Sequence, residues 1–159
     1  MTTVGFLGVG HLAALMVRGL AGQGYRLVLS PRNTAMAARL AAEYGATVAA
    51  SNQDVVDAAD GVFVCLPPAS GADVLSGLAF RPGQPVLSAM AGIGLTRLQS
   101  VTGPARAAIA MMPGYANAFR VGPSILHPDD GFWRDFLSKV GPVHAFADEK
   151  TFTAAAIFG

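Results

Sequence analysis

Short apolar runs alternate along the 159 residues with longer stretches in which apolar side chains recur every three to four positions. That alternation is the sequence form of a parallel sheet with crossover helices. Val4-Gly5-Phe6-Leu7 predicts a first strand over 4–7, and the helix after it is expected from near His11 to Gln23, with a left-handed Gly24 as its stop. A second strand is expected over 26–30. Thr34 is placed to cap a helix with Met36, Leu40, Ala41 and Tyr44 on one face, which Gly45 ends before a short strand over 47–49. Ser51 or Asn52 caps the next helix. Val62-Phe63-Val64-Cys65-Leu66 is continuously apolar, as in a strand covered on both faces, and Pro67-Pro68 closes it. The pattern then predicts a short helix over 71–78, a strand over 85–89, a short helix over 95–100 and a strand over 107–111. Beyond Pro113 it predicts a strand over 124–127, a helix over 132–140, a strand over 142–146 and a last helix from near Asp148.

Composition narrows the possibilities. A chain of this length makes one ordinary domain. Hydrophobic residues reach 52% against 13% charged, so some apolar surface is expected to meet a partner. No apolar run has membrane-spanning length, and the Met-Thr-Thr start has no signal-peptide pattern, so a cytoplasmic protein with no membrane contact is expected. The net charge of +1, without a basic cluster, gives no electrostatic case for nucleic acid. Cys65 has no second cysteine to pair with and reads as an inert core residue. His127 and His144 lack neighbours in metal-ligand spacing, and no metal site is expected. Lys139 and Lys150 read as solvated.

The informative chemistry lies at the first turn, where Gly8-Val9-Gly10-His11-Leu12-Ala13 is a G-x-G-x-x-A between a strand and a helix. Gly8 permits the tight turn, Gly10 leaves no Cβ in the path of a pyrophosphate, and Ala13 lets helix and strand pack closely. The helix N-terminus then offers backbone N–H groups to phosphate. The fold class that follows is α/β: a Rossmann-type, mainly parallel, doubly wound sheet with helices on both faces. About 20 residues on, where a dinucleotide site usually carries a carboxylate, the chain reads Ser30-Pro31-Arg32-Asn33. Arg32 can form a bidentate pair with a phosphate, which a carboxylate would repel, and this favours NADP over NAD. The alternative reading makes Pro31 and Asn33 a turn and Arg32 a solvated side chain. Tyr115 stands at the expected carboxyl end of a strand, where a packing role is favoured over lining a site.

Four segments together resemble the N-terminal domain of pyrroline-5-carboxylate reductases: Gly5-Phe6-Leu7-Gly8-Val9-Gly10, Ser30-Pro31-Arg32-Asn33, Ser88-Ala89-Met90-Ala91-Gly92-Ile93 and Ala110-Met111-Met112-Pro113. Their order and spacing match over essentially the whole chain. The resemblance implies an NADPH-binding domain, with residues 1–159 as that domain. It places Gly8, Gly10, His11 and Leu12 at the pyrophosphate, Ser30, Arg32 and Asn33 at the 2′-phosphate, and Asn52 at the adenosine ribose. Leu66 and Pro67 fall at the nicotinamide ribose, and Ala91, Gly92 and Pro113 near the reacting ring. The implied reaction is hydride transfer from NADPH to the C=N carbon of a cyclic imino acid, in the last step of proline synthesis.

Two departures stand beside the resemblance. Gly114 occupies the place where these enzymes commonly put asparagine after Met-Pro, and Phe158-Gly159 matches the entry to a segment that opens their C-terminal helical domain. That domain would make a homodimer or higher oligomer and hold the substrate carboxylate, so catalytic residues are expected outside this chain, which alone is expected to be inactive. The glycine loop and Arg32 also suit a 3-hydroxyacid dehydrogenase of the 6-phosphogluconate-dehydrogenase group, although no catalytic lysine or second glycine-rich loop appears. A non-catalytic NADP-binding regulator is the third reading.

Overall fold

Strand β1 (Thr2–Leu7) sends Val4 and Phe6 to one face of the sheet and Leu7 to the other, all fully buried. Strand β4 (Gly61–Val64) divides in the same way, with Phe63 on the first face and Val62 and Val64 on the second. Apolar groups on both faces demand cover on both sides. A computed structural model, which describes residues 1–158, supplies it.

Helices α1 (His11–Leu20) and α2 (Thr34–Tyr44) and the later α7 (Gly131–Ser138) pack on the face of Phe6. There Phe63, Trp133 and Phe136 form an aromatic cluster with Phe6, with ring centroids 5.3–6.5 Å apart. Offset and edge-on packing of this kind adds to the burial of the rings themselves. Helices α3 (Asn52–Ala58), α4 (Pro68–Ser76), α5 (Leu95–Thr102) and α8 (Glu149–Phe158) cover the face of Leu7 through Val55, Leu75, Leu98 and Phe152.

The remaining strands are β2 (Tyr25–Leu29), β3 (Thr47–Val48), β5 (Pro85–Ser88), β6 (Arg106–Met111), β7 (Ser124–His127) and β8 (Val143–Ala145). The eight run in the order β3-β2-β1-β4-β5-β6-β7-β8. Chain direction across the sheet reverses between β1 and β4, which pair in parallel from Val4↔Gly61 to Leu7↔Val64. Ligands of open α/β sheets bind at the carboxyl ends of the strands flanking such a reversal. Among the described strands the one antiparallel pairing is β6 with β7, through Ile109↔His127 and Met111↔Ile125, and β8 runs parallel to β7, so these last two strands oppose the other six. One turn of helix, α6 (Tyr115–Ala118), joins β6 to β7.

The Rossmann-type α/β architecture expected from the sequence is present, and the differences are local. Helix α1 stops at Leu20, not Gln23, where the backbone turns extended at Ala21 and left-handed at Gly22; the Arg120 guanidinium donates to the Gly19 carbonyl at 2.8 Å and to that of the capping residue Ala21 at 2.7 Å. Gly24 is left-handed at φ +91°, but it turns the loop after the helix has ended. Asn33, not Thr34, caps α2, and Gly45 closes it in the left-handed region as expected. Ser51 caps α3 by accepting from Asp54 N at 3.1 Å. Helix α4 begins at Pro68, three residues before the expected start, because proline is well suited to a first helical position that needs no N–H partner. Helix α6 went unpredicted because four residues are too few for a periodic signal.

Candidate functional site

At the β1/β4 reversal the loops after β1, β2 and β4 enclose a groove of about 530 Å³. Gly8, Gly10, Ser30, Arg32, Asn33, Asn52, Leu66 and Pro67 all line it, so residues spread over 60 positions of sequence converge there.

The groove is held open by hydrogen bonds between its loops. Gly8 adopts φ +89°, and a Cβ there would stand 2.7 Å from the Cys65 carbonyl oxygen. Only glycine lets the β1 turn lie this close to the end of β4. The Gly8 N–H donates to Ser30 Oγ at 3.0 Å, and Asn33 Nδ2 donates to Val9 O at 2.9 Å. Asn33 Oδ1 also accepts from Met36 N at 3.3 Å, capping α2. The Asn33 amide is therefore used at both ends within the protein, and Ser30, almost fully buried, braces the glycine loop. Both residues shape the groove as much as they line it.

Other groups are left available. Gly10, at φ −102°, has open space where a Cβ would be, and no side chain caps the first turn of α1. The N–H groups at the start of that helix, next to Gly10 in the groove lining, therefore have no side-chain partner, the usual setting for an anion. His11 and Leu12 are the first two helical residues, so their offering is backbone N–H; the His11 side chain is exposed, and neither residue lines the groove. Arg32 is exposed, forms no ion pair among the described residues and is the one charged side chain lining the groove. Asn52 sits just inside the start of α3, in the groove wall.

Val9, Cys65, Ser70 and Val74 complete the lining and were not foreseen as site residues. Ser70 and Val74 belong to the first turns of α4, whose early start brings them to the groove. Burial pushes the Cys65 thiol well above its ordinary range, in keeping with an unreactive side chain packed against the core.

Ala91 and Gly92 lie elsewhere along the same carboxyl edge, in a second cleft of about 370 Å³ between the loop after β5, the end of β6 and α8. Its walls are mostly apolar, with Met90, Ile109, Phe152 and Ala156 among them. Its one charged lining group is Glu149, whose Oε2 accepts from Leu95 N at 3.1 Å. Pro113 is exposed and lines neither cavity. Tyr115 is 67% exposed, so the packing role favoured from sequence does not hold; its ring stands 6.3 Å from that of Phe119, also exposed. With Val121 these rings make a small apolar patch on the loop after β6.

Among the described residues no three histidine, cysteine or acidic side chains cluster as a metal site would require, and no helix is long and apolar enough to cross a membrane.

Sheet order, glycine turn and helix start define a dinucleotide-binding domain of the Rossmann type. Residues 3–92 match the family model described as NADP oxidoreductase, coenzyme F420-dependent, and the chain belongs to that family. It is 30% identical over 129 residues to a pyrroline-5-carboxylate reductase of Pseudomonas aeruginosa, covering 78% of this chain and 47% of that protein. A second, from Pasteurella multocida, is 30% identical over an alignment of 169 positions that covers 95% of this chain and 62% of the relative. The crystal structure of 1-pyrroline-5-carboxylate reductase from Streptococcus pyogenes superposes with a TM-score of 0.82 at 26% identity, over 97% of this chain and 62% of that one. The resemblance carried by the four segments is borne out. The chain spans about half to three fifths of the length of these relatives.

Proposed function

We propose that this chain is the NADPH-holding domain of an oxidoreductase that reduces the C=N bond of a cyclic imino acid, of the pyrroline-5-carboxylate type. The observation that carries the reading is the groove at the β1/β4 reversal, where an uncapped helix start, two glycines and Arg32 meet in one wall. The groups present fit the cofactor: free N–H donors for a pyrophosphate, a guanidinium for a 2′-phosphate, and the Asn52 amide for a ribose.

NADPH, when bound, supplies the hydride that adds to the imine carbon. The protein's share is placement. Gly8 and Gly10 bring backbone within reach of phosphate, Arg32 selects the phosphorylated ribose, and Leu66 and Pro67 form the apolar wall leading toward the reacting end. Ala91, Gly92 and Pro113 belong to that end, at the loops after β5 and β6. Among the described residues no cationic side chain lines the cleft there, which supports a substrate carboxylate held by backbone N–H groups or by groups beyond this cleft. The proposal includes a homodimer or larger oligomer working in the cytoplasm and a helical domain that completes the substrate site; only the last of these is supported by the relatives' greater length.

Calorimetric titration with NADPH and NADH, followed by NADPH oxidation in the presence of pyrroline-5-carboxylate, tests the proposal. The expected result is clear preference for NADPH with only background turnover by residues 1–159, and turnover by a protein that continues into a relative-like helical domain. Equal affinity for the two cofactors overturns the assignment of Arg32. Full activity from residues 1–159 overturns the division of roles.

A further inference from the structure

Asn117 is fully buried in the one-turn helix α6, and every polar group of its amide is engaged. Its Oδ1 accepts from Gly114 N at 2.8 Å, while Nδ2 donates to Gly122 O at 2.9 Å and Val140 O at 3.2 Å. One side chain thus ties the turn after β6 to the approach to β7 and to the end of α7. The packing around it is tight enough to admit only glycine: a Cβ at Gly122 would stand 2.5 Å from the Asn117 amide, and one at Gly19 would run into the Asn117 carbonyl. Arg120, held at φ +65°, extends the same knot to the carboxyl end of α1.

The consequence appears at Gly114. The turn adopts φ +84°, and a Cβ there would meet Leu12 Cδ1 at 3.0 Å and Leu15 Cδ1 at 3.3 Å, so position 114 is pressed onto the first turns of α1. A side chain at 114 would point into the first turns of α1. The amide that closes this turn therefore comes from three residues further on. Helix α1 is the one that starts next to Gly10 in the groove lining, so the knot fixes the turn after β6 relative to the phosphate-binding end.

We propose that Asn117 is a positioning residue that sets the Pro113–Gly114 turn for the nicotinamide half of the bound dinucleotide. This rests on the proposed function, which puts the nicotinamide end at that turn. The groove proposed for the adenosine half lies at the β1/β4 reversal, and among the described residues the hydrogen bonds that brace it, from Gly8 to Ser30 and from Asn33 to Val9, involve no member of the knot.

The test compares two probes on the 159-residue chain: NADPH, which spans both halves, and adenosine 2′,5′-bisphosphate, which fills only the first. Asn117→Ala should weaken NADPH about tenfold, the scale of a lost buried hydrogen bond, and leave adenosine 2′,5′-bisphosphate within about twofold. Gly114→Ala, which disturbs the turn and keeps the amide, should show the same split and decides the matter if Asn117→Ala does not fold. Unchanged NADPH binding in the folded variants, or an equal fall for both probes, overturns the inference. Failure of the unmutated chain to bind NADPH overturns the proposed function and the inference with it.

Discussion

The two cavities on the carboxyl edge of the sheet are built on opposite plans. The groove between the loops after β1, β2 and β4 is braced by Ser30 and Asn33 and presents the guanidinium of Arg32. The cleft beside α8 is mostly apolar and presents the carboxylate of Glu149. One end suits a polyanion; the other suits a ring of low polarity, and favours a cation over an anion. The two cavities lie on either side of β4 along one sheet edge, so the contrast falls within a single domain.

The sharpest test of the groove separates its two glycines. Gly10→Val should abolish measurable NADPH binding in calorimetry while the melting temperature stays put, because the added side chain enters open space that the phosphates need. Gly8→Ala should act on the fold itself: φ +89° and the Cys65 carbonyl oxygen at 2.7 Å make the substitution cost about 1–3 kcal/mol. A chain of this size would show that as a fall of at least roughly 2–4 °C in melting temperature. A Gly10→Val variant that still binds normally would show the phosphates lie elsewhere.

Next in size is the charge contrast. Arg32→Ala should remove most of the preference for NADPH over NADH, a change of about ten- to a hundredfold matching ~1.5–3 kcal/mol for a charge-assisted bond. Retained preference would mean that another group reads the 2′-phosphate. A smaller effect is expected at Ser30, where Ser30→Ala leaves the Gly8 N–H without its partner. That loss of about 1 kcal/mol should weaken NADPH roughly fivefold with little change in the NADPH/NADH ratio, which distinguishes a brace from a ligand.

Acid is expected to act on helix α8, which walls the apolar cleft. The Thr151 hydroxyl and N–H donate to Asp148 at 2.9 and 3.0 Å and hold its carboxyl below the ordinary range. A folded-state pKa lowered in this way adds stability that is complete above the unfolded value and disappears as the pH falls through the depressed one. Helix α8 should therefore lose order at the acid end of a titration followed by circular dichroism, and Asp148→Asn should blunt that loss. Coincident acid profiles for the two proteins would count against it.

Much of this was legible in the residues themselves. The α/β alternation needs only apolar runs of strand length and helices of the right period. The nucleotide turn is legible because each glycine answers a local backbone demand, and Arg32 because its distance from the turn is set by one helix and one strand. The ends of the helices were less legible. The carbonyls of Gly19 and Ala21 at the end of α1 are satisfied by Arg120, about 100 residues later, and no local pattern announces such a partner.

What the sequence determined by itself, then, is the order of elements, the doubly wound class and the chemistry of the first turn, since these follow from interactions between residues near in sequence. What only the tertiary structure decided is how the loops are locked to one another. Ser30 faces inward to Gly8, Asn33 spends its amide on Val9 and a helix cap, and Asn117 closes a turn for which Gly114 has no side chain. Each of these side chains has several partners it could satisfy locally. Which one it takes depends on what the sheet brings within about 3 Å, the reach of a hydrogen bond.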